Sequence, residues 1–166
     1  MHQLKIIDRE AILAALERAE RYRLLNEPEQ AESICQDIIA VDDQNEMARI
    51  TMLLALTDQF PTNLSDAFPK ATEVAEQLRR EYDRTYYTGL VYERRAAAHF
   101  DQAAARCGPL AHSWYEKALA AYEKAESLRR PGNDEAILRW NACVRVMERH
   151  PSIEPDQLDS APELLE

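Results

Sequence analysis

An all-α fold is predicted for this chain by three observations. The 166 residues include only three glycines and few β-branched residues, while Ala, Leu, Glu and Arg, which lose little side-chain freedom in a helix, are abundant. Apolar residues recur at three- and four-residue spacing along most of the length, so they share helix faces. Between these runs stand stop-and-start clusters, the clearest being Pro131-Gly132-Asn133 followed by Asp134 as a candidate cap. A chain of this length forms about one domain and buries roughly 70% of its unfolded surface without staples. We place a helical domain at 8–149 and an acidic, proline-containing tail, expected to be extended or disordered, at 150–166.

Each element has a local cause. Asp8 can cap a first helix to about Leu25, with Ile12, Leu13, Leu16, Ala19 and Tyr22 on its apolar side and Asn26 suited to its left-handed end. Pro28 is tolerated in the first turn of a second helix that runs through Ala31, Ile34, Cys35, Ile38 and Ile39 to Val41. The third, Glu46 to about Gln59, is apolar nearly all round through Met47, Ile50, Met52, Leu53, Leu54 and Leu56, which predicts cover on several sides. Residues 61–66 read as a loop, with Pro69 in the first turn of a fourth helix carrying Ala71, Val74, Ala75 and Leu78. A long fifth helix runs from about Asp83 to Arg106, where Gly108-Pro109 is expected to end it. The sixth, about His112 to Arg129, aligns Ala118, Tyr122 and Ala125; the seventh, Glu135 to Arg149, carries Ile137, Trp140, Val144 and Met147.

The spacing Ala118-x3-Tyr122-x2-Ala125 before Pro131 recurs in degraded form as Ala31-x3-Cys35-x2-Ile38 and Ala71-x3-Ala75-x2-Leu78. In the preceding helices Ala19-x2-Tyr22, Leu53-x2-Leu56, Gly89-x2-Tyr92 and Trp140-Asn141-x2-Val144 form a second series. Ala19 and Leu53 stand 34 residues apart, whereas Leu53 to Gly89 is 36 and Gly89 to Asn141 is 52, which places an insertion near 97–113. Over 8–149 the chain resembles tetratricopeptide repeats, whose unit is a helical hairpin of about 34 residues. The resemblance implies a right-handed α-solenoid of about three antiparallel hairpins plus a C-terminal capping helix. An irregular helical bundle is the competing arrangement.

Charge bounds the function. The net charge is −10, and residues 27–46 and 151–166 carry twelve acids with no Lys or Arg, so the remainder is slightly basic at +2. A nucleic-acid binder needs a basic face, so nucleic acid is not an expected partner. No run approaches the roughly 20 apolar residues of a membrane span, and we expect a cytoplasmic protein. Cys35, Cys107 and Cys143 read as reduced core residues. His99, Cys107 and His112 make a weak metal or nucleophile constellation, no glycine-rich phosphate loop exists, and neither a catalytic residue, a metal nor a cofactor is expected.

Binding is the expected role. The resemblance implies that first helices line a concave groove, here through Leu16, Arg23, Ile50, Leu54, Tyr86, Leu90, Arg94, Leu138 and Arg145, with an apolar floor and recurring arginines. The partner would be a protein or peptide, and the chain a scaffold or adaptor. The alternative is a secretion-type chaperone for an export substrate, which small acidic proteins of this kind resemble. The lysines and asparagines with which the family's chaperone-tail receptors clamp a terminal carboxylate are absent from these positions. A homodimer is possible through Phe100, Trp114 and Tyr115, and residues 151–166 could occupy the groove through Ile153, Leu158, Leu164 and Leu165.

Overall fold

In the computed structural model, which describes residues 2–100 and 107–156, the apolar-periodic runs are helices, and no strand occurs among the described residues. A 3-10 turn at Arg9–Ala11 leads into α1 (Ile12–Leu24), followed by α2 (Pro28–Val41), α3 (Glu46–Asp58) and α4 (Phe60–Glu76). Then come α5 (Glu81–Phe100), α6 (Cys107–Leu128) and α7 (Glu135–Arg149). Asn26 takes the left-handed conformation (φ 59°) after α1, and the Asn45 side chain caps α3 by accepting from the Ala48 N–H at 2.9 Å. Asp8 contributes its backbone carbonyl, which accepts from the Ala11 N–H at 3.0 Å, rather than its carboxylate.

Each helix packs on the next in sequence, and α3 also touches α1 and α5. The small-large-small stripes hold these pairs together. Ala31, Cys35 and Ile38 on α2, Ala71 and Ala75 on α4 with Leu78 just beyond its end, and Ala118, Tyr122 and Ala125 on α6 are all at most 1% exposed. Alanines in such a stripe let a neighbouring backbone approach, and the larger side chain fills the gap between the two axes. Helix α3 is covered by α1, α2, α4 and α5, burying Ala48, Leu53, Ala55 and Leu56, as its all-round apolar character implies.

Three expectations need correction. Residues 61–66 are helical: Gln59 alone separates α3 from α4, and Phe60, 1% exposed, anchors the start. Pro61 sits in the first turn, where no N–H is needed, and the chain breaks instead at Asn63 (φ −143°, ψ 46°). Pro69 consequently lies inside α4 and not in its first turn. Gly108-Pro109 lies within α6; the expected end of α5 at Arg106 lies outside the described residues. In α7 the buried positions are Ala136 and Cys143, and Trp140 remains 38% exposed because only α6 packs extensively against this helix.

The first acidic segment is more than a solvated face. Glu32 accepts from the Gln59 amide at 2.7 Å and lies 4.0 Å from Lys70, while Glu46 accepts from the Arg79 backbone N–H at 2.8 Å. These carboxylates tie α2 to the α3–α4 junction and α3 to the end of α4. Beyond α7, Ile153 is 5% exposed and joins the core formed by α5, α6 and α7, while the Phe100 and His150 rings lie 4.9 Å apart.

Candidate functional site

Large apolar side chains stay exposed on several elements, including Leu4 and Ile6 ahead of α1 and Leu110 and Leu128 on α6. Leu13 and Leu24 on α1, Met47 on α3 and Leu138 on α7 are 70, 88, 54 and 66% exposed. Isolated exposed leucines are ordinary on a protein surface; here two cavities lie among them.

The first cavity, about 390 Å³, opens where the C-terminal ends of α1 and α3 meet the later turns of α5. Arg23 and Asp58 form its polar wall, with Arg23 Nε donating to Asp58 Oδ2 at 2.8 Å and both side chains about one-fifth exposed. This pair also clamps α1 to α3. Thr57, 2% exposed, directs its hydroxyl back to the Leu54 carbonyl at 2.8 Å and offers the cavity mainly its methyl group. Phe60, Ala97 and Ala98 supply the apolar wall, and Leu24 stands at the rim.

Arg94 lines the same cavity without an ion-pair partner among the described residues, and its Nε is sealed from solvent with no hydrogen-bond acceptor. A guanidinium left in this state fits a planar carboxylate arriving from outside. The second cavity, about 440 Å³, lies at the opposite ends of these helices, lined by Met47 and Ile50 of α3, by Asp83 and Tyr87 of α5, and by Glu135 of α7. Asp83 is 4% exposed and held by Arg80 through bonds of 2.5 and 3.2 Å, so its charge is already matched.

The predicted groove residues divide into three groups. Arg23 and Arg94 converge on the first cavity, and Ile50 lines the second. Leu16 and Leu54 are half-buried between helices, whereas Leu138 and Arg145 are exposed on α7 outside both cavities. Tyr86 and Leu90 are buried at 9 and 1% and present no free surface. Leu90 packs into the core around α3 and α4, and the burial of Tyr86 has a specific cause at Gly89, where a Cβ would stand 2.8 Å from the Tyr122 ring. That gap draws α6 against α5.

Tyr122 then donates to Glu93 Oε2 at 2.6 Å, and Arg139 of α7 donates to Glu93 Oε1 at 3.1 Å. Tyr86 packs against Tyr122 with ring centroids 5.8 Å apart. This buried network locks α5, α6 and α7 together. Burial raises Tyr86 above the ordinary phenol value, and burial first, then the Glu93 charge, raises Tyr122.

The Asp58 partner of Arg23 was not apparent from local sequence, in which Glu20 is the nearest candidate. A signal does exist. Arg23, Asp58 and Arg94 stand 35 and 36 residues apart, close to the steps of 34 and 36 between Ala19, Leu53 and Gly89. Cys35 and Cys143 are poor nucleophiles: burial pushes the Cys35 thiol up to about 12 and also raises Cys143. His112 lies 3.7 Å from Glu116, and among the described residues no group of three or more His, Cys, Asp or Glu is placed to hold a metal ion. No described helix is long and apolar enough to cross a membrane. No family model, curated protein or solved structure matches the chain.

Proposed function

We propose that this chain is a helical-repeat interaction module that binds an extended peptide or an amphipathic helix along the face shared by α1, α3, α5 and α7. The observation that carries this reading is the cavity around Arg23, Asp58 and Arg94, where an unpaired guanidinium adjoins the exposed Leu24. An apolar side chain seated beside Phe60 and Ala98, next to a carboxylate on Arg94, would use both features; apolar contact supplies affinity and the charge fixes register. The hairpin-like pairs α1–α2, α3–α4 and α5–α6, with α1–α3 and α3–α5 contacts between them, support a tetratricopeptide-like solenoid with α7 as its cap, whose right hand is what the resemblance implies.

The test is site-specific photo-crosslinking. A photoreactive residue at Leu24, Met47 or Leu138 should capture a partner polypeptide, and the same residue at the exposed positions Gln36 or Glu126 on α2 and α6 should not. Arg94→Glu should weaken the captured interaction about tenfold, corresponding to roughly 1.4 kcal/mol. Equal capture from both sets of positions, with Arg94→Glu binding as the wild type does, would refute the assignment.

A further inference from the structure

A third cavity, about 550 Å³, lies on another side of α5, where α4 breaks at Asn63. Its lining comprises Thr62, Asn63, Leu64, Ser65, Phe68 and Pro69 from α4 with Arg95 and His99 from α5. In a chain with thirty acidic residues, none of the lining residues is acidic. The nearby Asp66 is bound to Lys70 at 2.8 Å.

Arg95 is the centre of this site. Its guanidinium carbon lies 3.9 Å from the centroids of both Phe68 and Trp114, whose rings meet nearly edge to face at 68°, so it sits in the corner between them. Each ring attracts the cation and fixes the plane of its fork. Nε donates to His99 Nε2 at 3.4 Å, which makes that imidazole nitrogen an acceptor and leaves Nδ1 to carry the proton. The two terminal nitrogens have no hydrogen-bond partner and no carboxylate among the described residues. Burial lowers the Arg95 pKa, with no opposing carboxylate, and burial followed by the Arg95 charge lowers that of His99. Lys117 adds a second cation 4.0 Å from the centroid of the Trp114 ring.

We propose that this cavity binds a phosphate monoester group. A carboxylate would be satisfied by the guanidinium fork alone, whereas a phosphoryl group presents three oxygens in different directions. Around the cavity stand donors of matching variety: the Arg95 fork, the Ser65 hydroxyl and the His99 ring N–H, while the Asn63 amide is already turned to Asp66 at 3.5 Å. The aromatic corner keeps the fork oriented before the ligand arrives, which reduces the ordering cost of binding.

Trp114 reports on Arg95 directly, so a Trp140→Phe background isolates the signal. Titration with inorganic phosphate, phosphoserine and a phosphoserine-containing peptide at fixed ionic strength should give a saturable change in Trp114 emission at about 10 mM ligand or below, while acetate, held by the fork alone, should need at least about tenfold more. Arg95→Gln should weaken the response at least about tenfold, and Arg95→Lys should also weaken it because a point charge replaces the fork. Ser65→Asp places a carboxylate in the cavity at an exposed position and should abolish the response with helix content intact, even if Arg95→Gln perturbs packing. A peptide that binds about tenfold more tightly than phosphoserine would identify a phosphorylated chain as the source, and equal affinities would identify a small phosphate ester. No saturable response, the same response to acetate, or an unchanged response in Ser65→Asp would overturn the proposal.

Discussion

Gly108→Ala isolates one close approach and should destabilise the protein by a calculable amount. A Cβ at this position would lie 1.9 Å from the Ser152 carbonyl oxygen and 3.0 Å from its carbonyl carbon. The obstacle is backbone, so no rotamer change relieves it; residues 150–156 must lift away from α6. Lifting exposes Ile153, which is 5% exposed in the core with Ala111 and Tyr115. Burial of an isoleucine contributes about 1.5–3 kcal/mol, and that sets the ceiling on the loss because undocking removes the clash. The Ala side chain returns a few tenths of a kcal/mol through helix propensity, less than the ~1 kcal/mol of an interior site. The net loss is about 1–2.5 kcal/mol, or roughly 2–10 °C in Tm for a chain of this size. Thermal and urea unfolding followed by circular dichroism measures it. Ile153→Ala alone should lose about 2 kcal/mol or slightly more, but much less in the Gly108→Ala background, where the side chain is already out. Wild-type stability of Gly108→Ala, or full additivity of the two losses, would refute the docking argument.

Two further outcomes follow from the core. Gly89→Ala should lower stability although Ala is the better helix former by about 1 kcal/mol, because its Cβ would meet Tyr122 ring carbons at 2.8 and 2.9 Å and that ring is 0% exposed; a more stable variant by urea unfolding would show that Tyr122 repacks freely. Stability should also fall in alkali. Burial raises the Cys35 thiol from 9.0 and the Tyr87 phenol from 10.0, each to about 12. The folded chain therefore retains these protons after the unfolded chain releases them, so their contribution is complete below pH 9 and declines as pH rises toward about 12. At pH 10.5 the loss from Cys35 reaches about 1–2 kcal/mol, and a urea midpoint unchanged between pH 8 and 10.5 would contradict the raised values.

Helix positions were legible because apolar spacing is a local property. The stripes of α2 and α6 were read correctly residue by residue, since a small-large-small face has little to do except pack, whereas Leu78, read as part of the fourth helix, is buried just beyond its end. Prolines were not so legible. The same ring that stops a helix is harmless in its first turn, and the choice at Pro61 and Pro109 depends on tertiary contacts, the burial of Phe60 and the docking of Ser152 over Gly108. The binding face was partly legible for a similar reason. Periodicity placed Arg23 and Arg94 in register on α1 and α5, with Asp58 of α3 between them, but it does not say which neighbour covers a face. Tyr86 and Leu90 lie on α5 at positions that the repeat pattern assigns to an open groove, yet the Gly89–Tyr122 approach and the Glu93–Arg139 bond close α6 and α7 over Tyr86, while Leu90 packs into the core around α3 and α4.

Helix α5 also explains why the two proposed activities are separable. Arg94 and Arg95 are adjacent in sequence, so their side chains diverge by about 100° around the helix axis. One enters the cavity shared with α1 and α3, the other the cavity shared with α4. Neither has a carboxylate partner among the described residues, although acids outnumber bases by ten in the chain. Ion pairs elsewhere engage Arg9, Arg23, Lys70, Arg79, Arg80, Lys124, Arg129 and Arg139. The two open guanidiniums on α5 are distinguished by the cavities that they line. Because each cavity is built from different neighbours, Arg94→Glu should leave the phosphate response of Trp114 intact, and Arg95→Gln should leave crosslinking from Leu24 intact. Loss of both responses in either variant, with helix content preserved, would mean that the cavities act as one site.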